Sequence, residues 1–221
     1  MENPYKSVPD WAPYGLPMAL FLGLTYAEGR YPENYVWIYF VKIATVLAAL
    51  IWVRPTWGDI RWETKLIPLA TAVGLLLFLV WVGVERAIVY PHLGNRSSYN
   101  PWAMIYGQGL RSAFLAARFF GLVLLVPFME ELFWRSFGLR YATQTDFKAL
   151  PIGKFSRTGA LLTCAVFALS HPEWAPALIF AAAMTILVWK TKSIFACIVA
   201  HAVTNLALGV YVVTQGVWTL W

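Results

Sequence analysis

Seven apolar stretches alternate with short polar ones along this chain. They cover residues 11–27, 35–53, 66–84, 112–137, 158–171, 175–189 and 193–213. A membrane helix needs about 20 predominantly apolar residues, and most of these stretches come near that length. The pattern predicts an all-α fold, a polytopic transmembrane helix bundle of about seven spans, with six to eight as the range. The tail from Gln215 to Trp221 is aromatic and apolar; it either finishes the last span or lies at the interface. No internal repeat, low-complexity segment or shift in composition divides the chain. Residues 1–221 read as a single integral membrane domain.

The polar breaks carry the punctuation. Pro91, His92, Gly94, Asn95 and Pro101 make 87–110 irregular or surface-lying. Asn95-Arg96-Ser97 matches the glycosylation sequon, a three-residue pattern common by chance. The segment 138–157, with Arg140, Lys148, Lys154 and Arg157, reads as a loop or interfacial piece.

Composition agrees. The chain is 60% hydrophobic and 13% charged, where soluble domains are nearer half apolar and a quarter charged. Its 12 Trp and 11 Tyr suit aromatic belts at the two interfaces. The net charge of +6 is spread through short loops, so the positive-inside bias explains it better than nucleic-acid binding. Loops 54–65 and 138–157 and the turn with Lys190 and Lys192 fall on one side if seven spans alternate. The expectation is a bacterial inner-membrane protein with its N-terminus cytoplasmic and its C-terminus outside. Loop 85–111, with Arg86, Arg96 and Arg111, is the exception on the outer side. Cys164 and Cys197 lie in apolar segments and read as small buried hydrophobes.

Ionisable groups inside the apolar stretches are expensive and mark function by default. Lys42 reads first as a lysine snorkelling to an interface, with a polar cavity as the other reading. Glu130, Glu131 and Arg135 interrupt the fourth stretch, His171 ends the fifth, and His201 and Asn205 sit in the seventh. At 1.5 Å per residue, Glu130 lies roughly 15 Å from Arg140, His201 roughly 14 Å from Lys192, and His171 at most roughly 21 Å from Arg157. Three helices thus bring polar groups to similar depth, where they could share one cavity below the cytoplasmic face. Glu131 and Arg135 are four apart and can pair, while Glu130 points about 100° away. His201 and Asn205 share a face, and Phe167 can pack on His171.

Glu130-Glu131-x-x-x-Arg135, Phe167-x-x-x-His171 and His201-x-x-x-Asn205 together resemble the three motifs of the CPBP family, the CAAX-protease and bacteriocin-processing intramembrane proteins that include the Rce1-type glutamic endopeptidases. The chain also resembles the bacterial CAAX prenyl protease-related branch. The resemblance covers about residues 112–210, the motif-bearing half; the first three spans carry no such mark. It implies that Glu130 and His171 activate a water, that His201 and Asn205 stabilise the oxyanion, and that Glu131, Arg135 and Phe167 support them. It implies a membrane-anchored or lipidated peptide or protein substrate, with a lipidated C-terminal peptide, a peptide precursor and a membrane-protein tail all open, and no cofactor or metal.

Other readings compete. Glu130 and Glu131 could form a buried ion-pair knot with Arg135 and Arg118. His171 could cap a helix before Pro172, and His201 could bridge helices. A zinc protease lacks its His-Glu-x-x-His signature here, and Asn is a poor zinc ligand. A non-catalytic scaffold or a proton-coupled transporter is a further alternative; a transporter should show related halves with broken helices, and none is visible.

Overall fold

The computed structural model describes residues 8–94 and 96–221; the sequon asparagine, Asn95, lies outside the described residues. Among these the chain is helical and contains no strand. The main helices are α1 (Ala12–Arg30), α2 (Tyr35–Trp52), α3 (Ile67–Ala87), α4 (Gln108–Tyr141), α5 (Arg157–Leu169), α6 (Trp174–Thr191) and α7 (Ile194–Gln215).

Helices α2, α3, α4, α6 and α7 are long and apolar enough to cross a membrane. The two remaining stretches are helical but differ. In α1, Pro13, Pro17, several glycines and a buried Glu28 dilute the apolar character. In α5, 13 residues give only about 20 Å. Large apolar side chains face outward along the long helices, among them Leu76, Leu79, Ile186 and Val210. The interior instead holds charge: Arg135 and Glu131 are among the largest fully buried side chains. Apolar outside and charged within is the pattern of a bundle solvated by lipid. The protein is an all-α membrane helix bundle.

Long-range polar contacts sort the loops into two ends. At one end Arg140 pairs with Asp59, Lys148 with Asp10, and Lys192 donates to the Gly153 carbonyl at 2.6 Å. These join the start of α1, the α2–α3 loop, the α4–α5 loop and the α6–α7 turn, the basic set that the sequence put on one side. At the other end Arg96 pairs with Glu173, and Trp102 packs on Trp218 at 5.4 Å. The tail does not prolong α7. Gly216 takes a left-handed φ of 67°, ending the helix, and Trp221 turns back to lie buried against Phe119.

Lys42 does not snorkel. It is 3% exposed and pairs with Glu28 at 2.5 Å, tying α2 to α1. Arg118 sits nearby, donating to the Tyr35 hydroxyl at 3.1 Å between the rings of Tyr39 and Trp221. Lys42 is thus an interior ion-pair partner rather than a snorkelling lysine.

Two features of backbone geometry set the site. First, α4 contains two wide π-type segments, Gly121–Leu125 and Leu132–Gly138, flanking the stretch with both glutamates. Such segments cluster at functional sites because they re-aim a helix face. Second, α7 lies almost in contact with the α3 backbone. A Cβ on Gly74 would stand 2.4 Å from the Ala200 carbonyl oxygen and 2.8 Å from the Val203 Cβ. Thr204 Oγ1 donates to the Gly74 carbonyl at 2.9 Å across that crossing. Small residues allow this approach in membranes, where packing rather than solvent drives association.

Gly74→Val should therefore force α7 outward and cost about 1–3 kcal/mol, as overpacking does. Thermal melting in detergent should show the loss, whereas Gly83→Ala, with open space around it, should melt like the wild type.

Candidate functional site

Helix α4 brings two adjacent carboxylates into the interior, and their surroundings differ completely. Glu131 is fully buried and ion-paired on both oxygens, although only Oε1 is hydrogen-bonded. Its Oε1 lies 2.8 Å from His201 Nδ1 of α7, and its Oε2 lies 3.2 Å from Arg135 Nε one turn along α4. That Nε contact works through charge alone; Arg135 Nη1 donates a long bond to Oε1 at 3.4 Å, and the His201 contact is the shorter one. Arg135, 1% exposed, also spreads its guanidinium over the Phe167 ring at 5.0 Å and the Phe180 ring at 5.9 Å. A desolvated cation gains most from such aromatic faces.

Glu130, also buried, points elsewhere, as the helical offset requires. Among the described residues nothing donates a hydrogen bond to its Oε2. Buried polar atoms are almost always paired, so such an exception asks for a chemical reason. His201, Glu131, Arg135 and Arg96 all lie within electrostatic range of this carboxylate.

His171 sits just past the end of α5. Its Nδ1 is 2.8 Å from the Phe167 carbonyl at the helix end, which also accepts from the Ser170 hydroxyl at 2.7 Å. Its ring stacks on Phe167 at 4.5 Å, so the i, i+4 spacing works as read. Trp81 of α3 approaches edge-on at 6.2 Å. Trp81 lies 14 residues into α3, roughly 21 Å deep, which matches the depth expected for His171. With Nδ1 held at the helix end, Nε2 is the nitrogen left for chemistry. His201 and Arg96 lie within electrostatic range of the ring. The capping role of His171 is thus real and leaves one nitrogen spare.

Asn205 is held by a defect in α4. In the π segment Val126 N–H bonds the Gly121 carbonyl five residues back. The next residue, Pro127, has no N–H, so the Leu122 carbonyl loses its partner. Asn205 Nδ2 donates to that carbonyl at 2.9 Å. One amide proton of Asn205 is thereby spent on α4 and the other remains.

The sequence-identified residues thus divide into groups. Glu131, Arg135 and His201 form one buried unit, and Phe167 with His171 forms another, joined through Phe180, which stacks on Phe167 and meets His201 edge-on. Arg118 does not join the ion pairs; it belongs to the Glu28–Lys42 cluster. Sequence reasoning missed Arg96 and Glu173. Arg96 donates through Nε and Nη2 to both Glu173 oxygens at 2.8 Å each, beside the turn that carries His171. Burial alone would raise the Glu173 carboxyl, but the hydrogen bonds and charge of Arg96 outweigh it and hold the group below the usual carboxylate range. Two signals pointed there: an acid two residues past His171, and an arginine on the side that should carry few. Among the described residues no three or more His, Cys, Asp or Glu side chains are grouped to hold a metal ion.

Residues 111–207 match the family model of the type II CAAX prenyl endopeptidase Rce1-like proteins. No curated protein and no solved structure matches the chain.

The two glutamates should respond differently to the same change. Glu131→Gln leaves Arg135 buried without its counter-charge and should cost about 3–5 kcal/mol. Glu130→Gln removes an unpaired carboxylate and should melt close to wild type. Comparing the two melts in one detergent checks this division.

Proposed function

We propose, for a chain whose residues 111–207 are Rce1-like, that it is an intramembrane endopeptidase of the glutamic type. The family supplies the general class, a CAAX-protease-like peptidase in a membrane. The finer assignment rests chiefly on one observation: of two adjacent buried carboxylates, Glu131 is ion-paired with Arg135 and His201, while Glu130 makes no hydrogen bond or ion pair with any described residue.

In this reading Glu130 is the general base. Its Oε2 accepts a proton from a water whose oxygen is oriented by His171 Nε2. The resulting hydroxide oxygen attacks the scissile carbonyl carbon, and the C=O pair moves onto oxygen. That oxyanion meets the second amide proton of Asn205 and the His201 ring. Because His201 Nδ1 is bonded to Glu131, its Nε2 carries a proton for this purpose when the ring is the imidazolium, whose charge Glu131 balances. Glu130 then gives its proton to the leaving nitrogen as the C–N bond breaks, releasing a free amine and a carboxylic acid. Glu131, Arg135 and Phe167 hold these groups in place without touching the reacting atoms. The step uses residues of this chain and no metal or cofactor.

The substrate class follows from the setting. A site framed by helices with lipid-facing exteriors is reached most readily by a peptide already anchored in the bilayer, through a transmembrane tail or a prenyl or other lipid chain. The basic end, with Lys148, Lys154, Lys190 and Lys192, is the cytoplasmic one under the positive-inside rule. That orientation puts the N-terminus in the cytoplasm of a bacterial inner membrane.

Cleavage products of lipidated and membrane-anchored peptides, mapped by mass spectrometry in proteoliposomes, test the assignment. Glu130→Gln and His171→Ala should each lower turnover by about 10²–10⁴-fold, the share that positioned acid–base groups supply. Wild-type turnover by Glu130→Gln would sink the glutamic mechanism. Failure of the wild type to cut any such peptide while retaining partner binding would favour the scaffold reading. Chelators such as 1,10-phenanthroline should leave the rate unchanged.

A further inference from the structure

His171 is the one proposed site residue outside a helix. The Ser170–Glu173 turn is tied to α5 by His171 N, which donates to the Ala168 carbonyl at 3.1 Å, and by the imidazole at Phe167. The connection 88–107 holds the turn from its other side. Leu93 N donates to the Pro172 carbonyl at 2.9 Å, and Trp174 Nε1 donates to the Pro91 carbonyl at 2.8 Å. Arg96 then grips Glu173 with both arms of its fork. Glu173 is 3% exposed, and a buried carboxylate is tolerated only when its partner is well placed. The same guanidinium lies within electrostatic range of both Glu130 and His171.

We infer that Arg96 and Glu173 are positioning residues of the proposed peptidase site, the fork fixing the His171 turn so that the imidazole and Glu130 can share one water. The inference rests on the peptidase reading. The fork geometry matters as well as the charge, since a lysine supplies a point charge without two parallel donors. Neither residue touches the reacting atoms, so their loss acts through His171.

Two measurements on the full-length protein in proteoliposomes decide it. The first is steady-state cleavage of a lipidated reporter peptide by Arg96→Lys, Arg96→Leu, Glu173→Gln and the exchanged pair Arg96→Glu with Glu173→Arg. Misplacement of a reacting group by about 1 Å costs about 10²-fold. Arg96→Leu and Glu173→Gln should therefore lose kcat by about that factor with KM held within about twofold, Arg96→Lys should fall between them and wild type, and the exchanged pair should recover about tenfold. The second needs no activity: carbethoxylation of His171 by diethyl pyrocarbonate, followed by mass spectrometry, should change rate severalfold in Arg96→Leu.

Wild-type kcat in Arg96→Leu and Glu173→Gln, with an unchanged His171 modification rate, overturns the inference. So does a loss of activity that merely tracks the folded fraction and is not recovered by the exchanged pair. Glu130→Gln in the same assay separates the two failures. If Glu130→Gln is inactive while the Arg96 and Glu173 variants are normal, positioning alone is wrong. If Glu130→Gln turns over like the wild type, the glutamic mechanism falls first.

Discussion

The contact on which the rest depends is the buried link from Glu131 to Arg135 and His201. In lipid there is no water to absorb a stray charge, so a carboxylate at this depth must be answered by the protein itself. Arg135 answers it within α4, and His201 answers it from α7. The first partner fixes the rotamer of the pair; the second fixes the relation of two helices. Because Glu131 is committed in this way, its neighbour Glu130 is held pointing into the interior with an oxygen free of protein donors.

Around that link, small geometric liberties each have a consequence. Gly74 lets α7 approach α3, and along α4 His201 of α7 meets Glu131 while Asn205 meets the Leu122 carbonyl. The π segment and Pro127 free a carbonyl that then holds Asn205. The shortness of α5 leaves His171 on a turn inside the bundle rather than at its surface, stacked on Phe167 and facing Trp81. None of these is a large energy. Together they place three helices and a turn at one level.

A second buried polar group stands apart, built from Glu28, Lys42, Arg118 and Tyr35. It answers the same constraint in α1, α2 and the first half of α4. Lys42 could not be assigned from sequence because snorkelling and burial start from the same residue at the same depth. Only the presence of Glu28, 14 positions earlier and on another helix, distinguishes them. The Arg118 reading failed for a similar reason. A long cation can be attached on paper to any acid within a helix length, and here it chose a hydroxyl and two aromatic rings.

What the sequence determined by itself was the class of solvent and the local pairings. Hydrophobic periodicity and aromatic content established a helical membrane protein, because lipid permits little else. Spacings of four residues correctly paired Glu131 with Arg135 and Phe167 with His171, because such neighbours meet within a helix regardless of its surroundings. Contacts between helices were decided only by the tertiary structure. That His201 would take Glu131, that Asn205 would take a carbonyl orphaned by Pro127, and that Arg96 would cross from a loop to Glu173 depend on helix rotation and approach. Those are set by packing of the whole bundle, and sequence distance carries no measure of them.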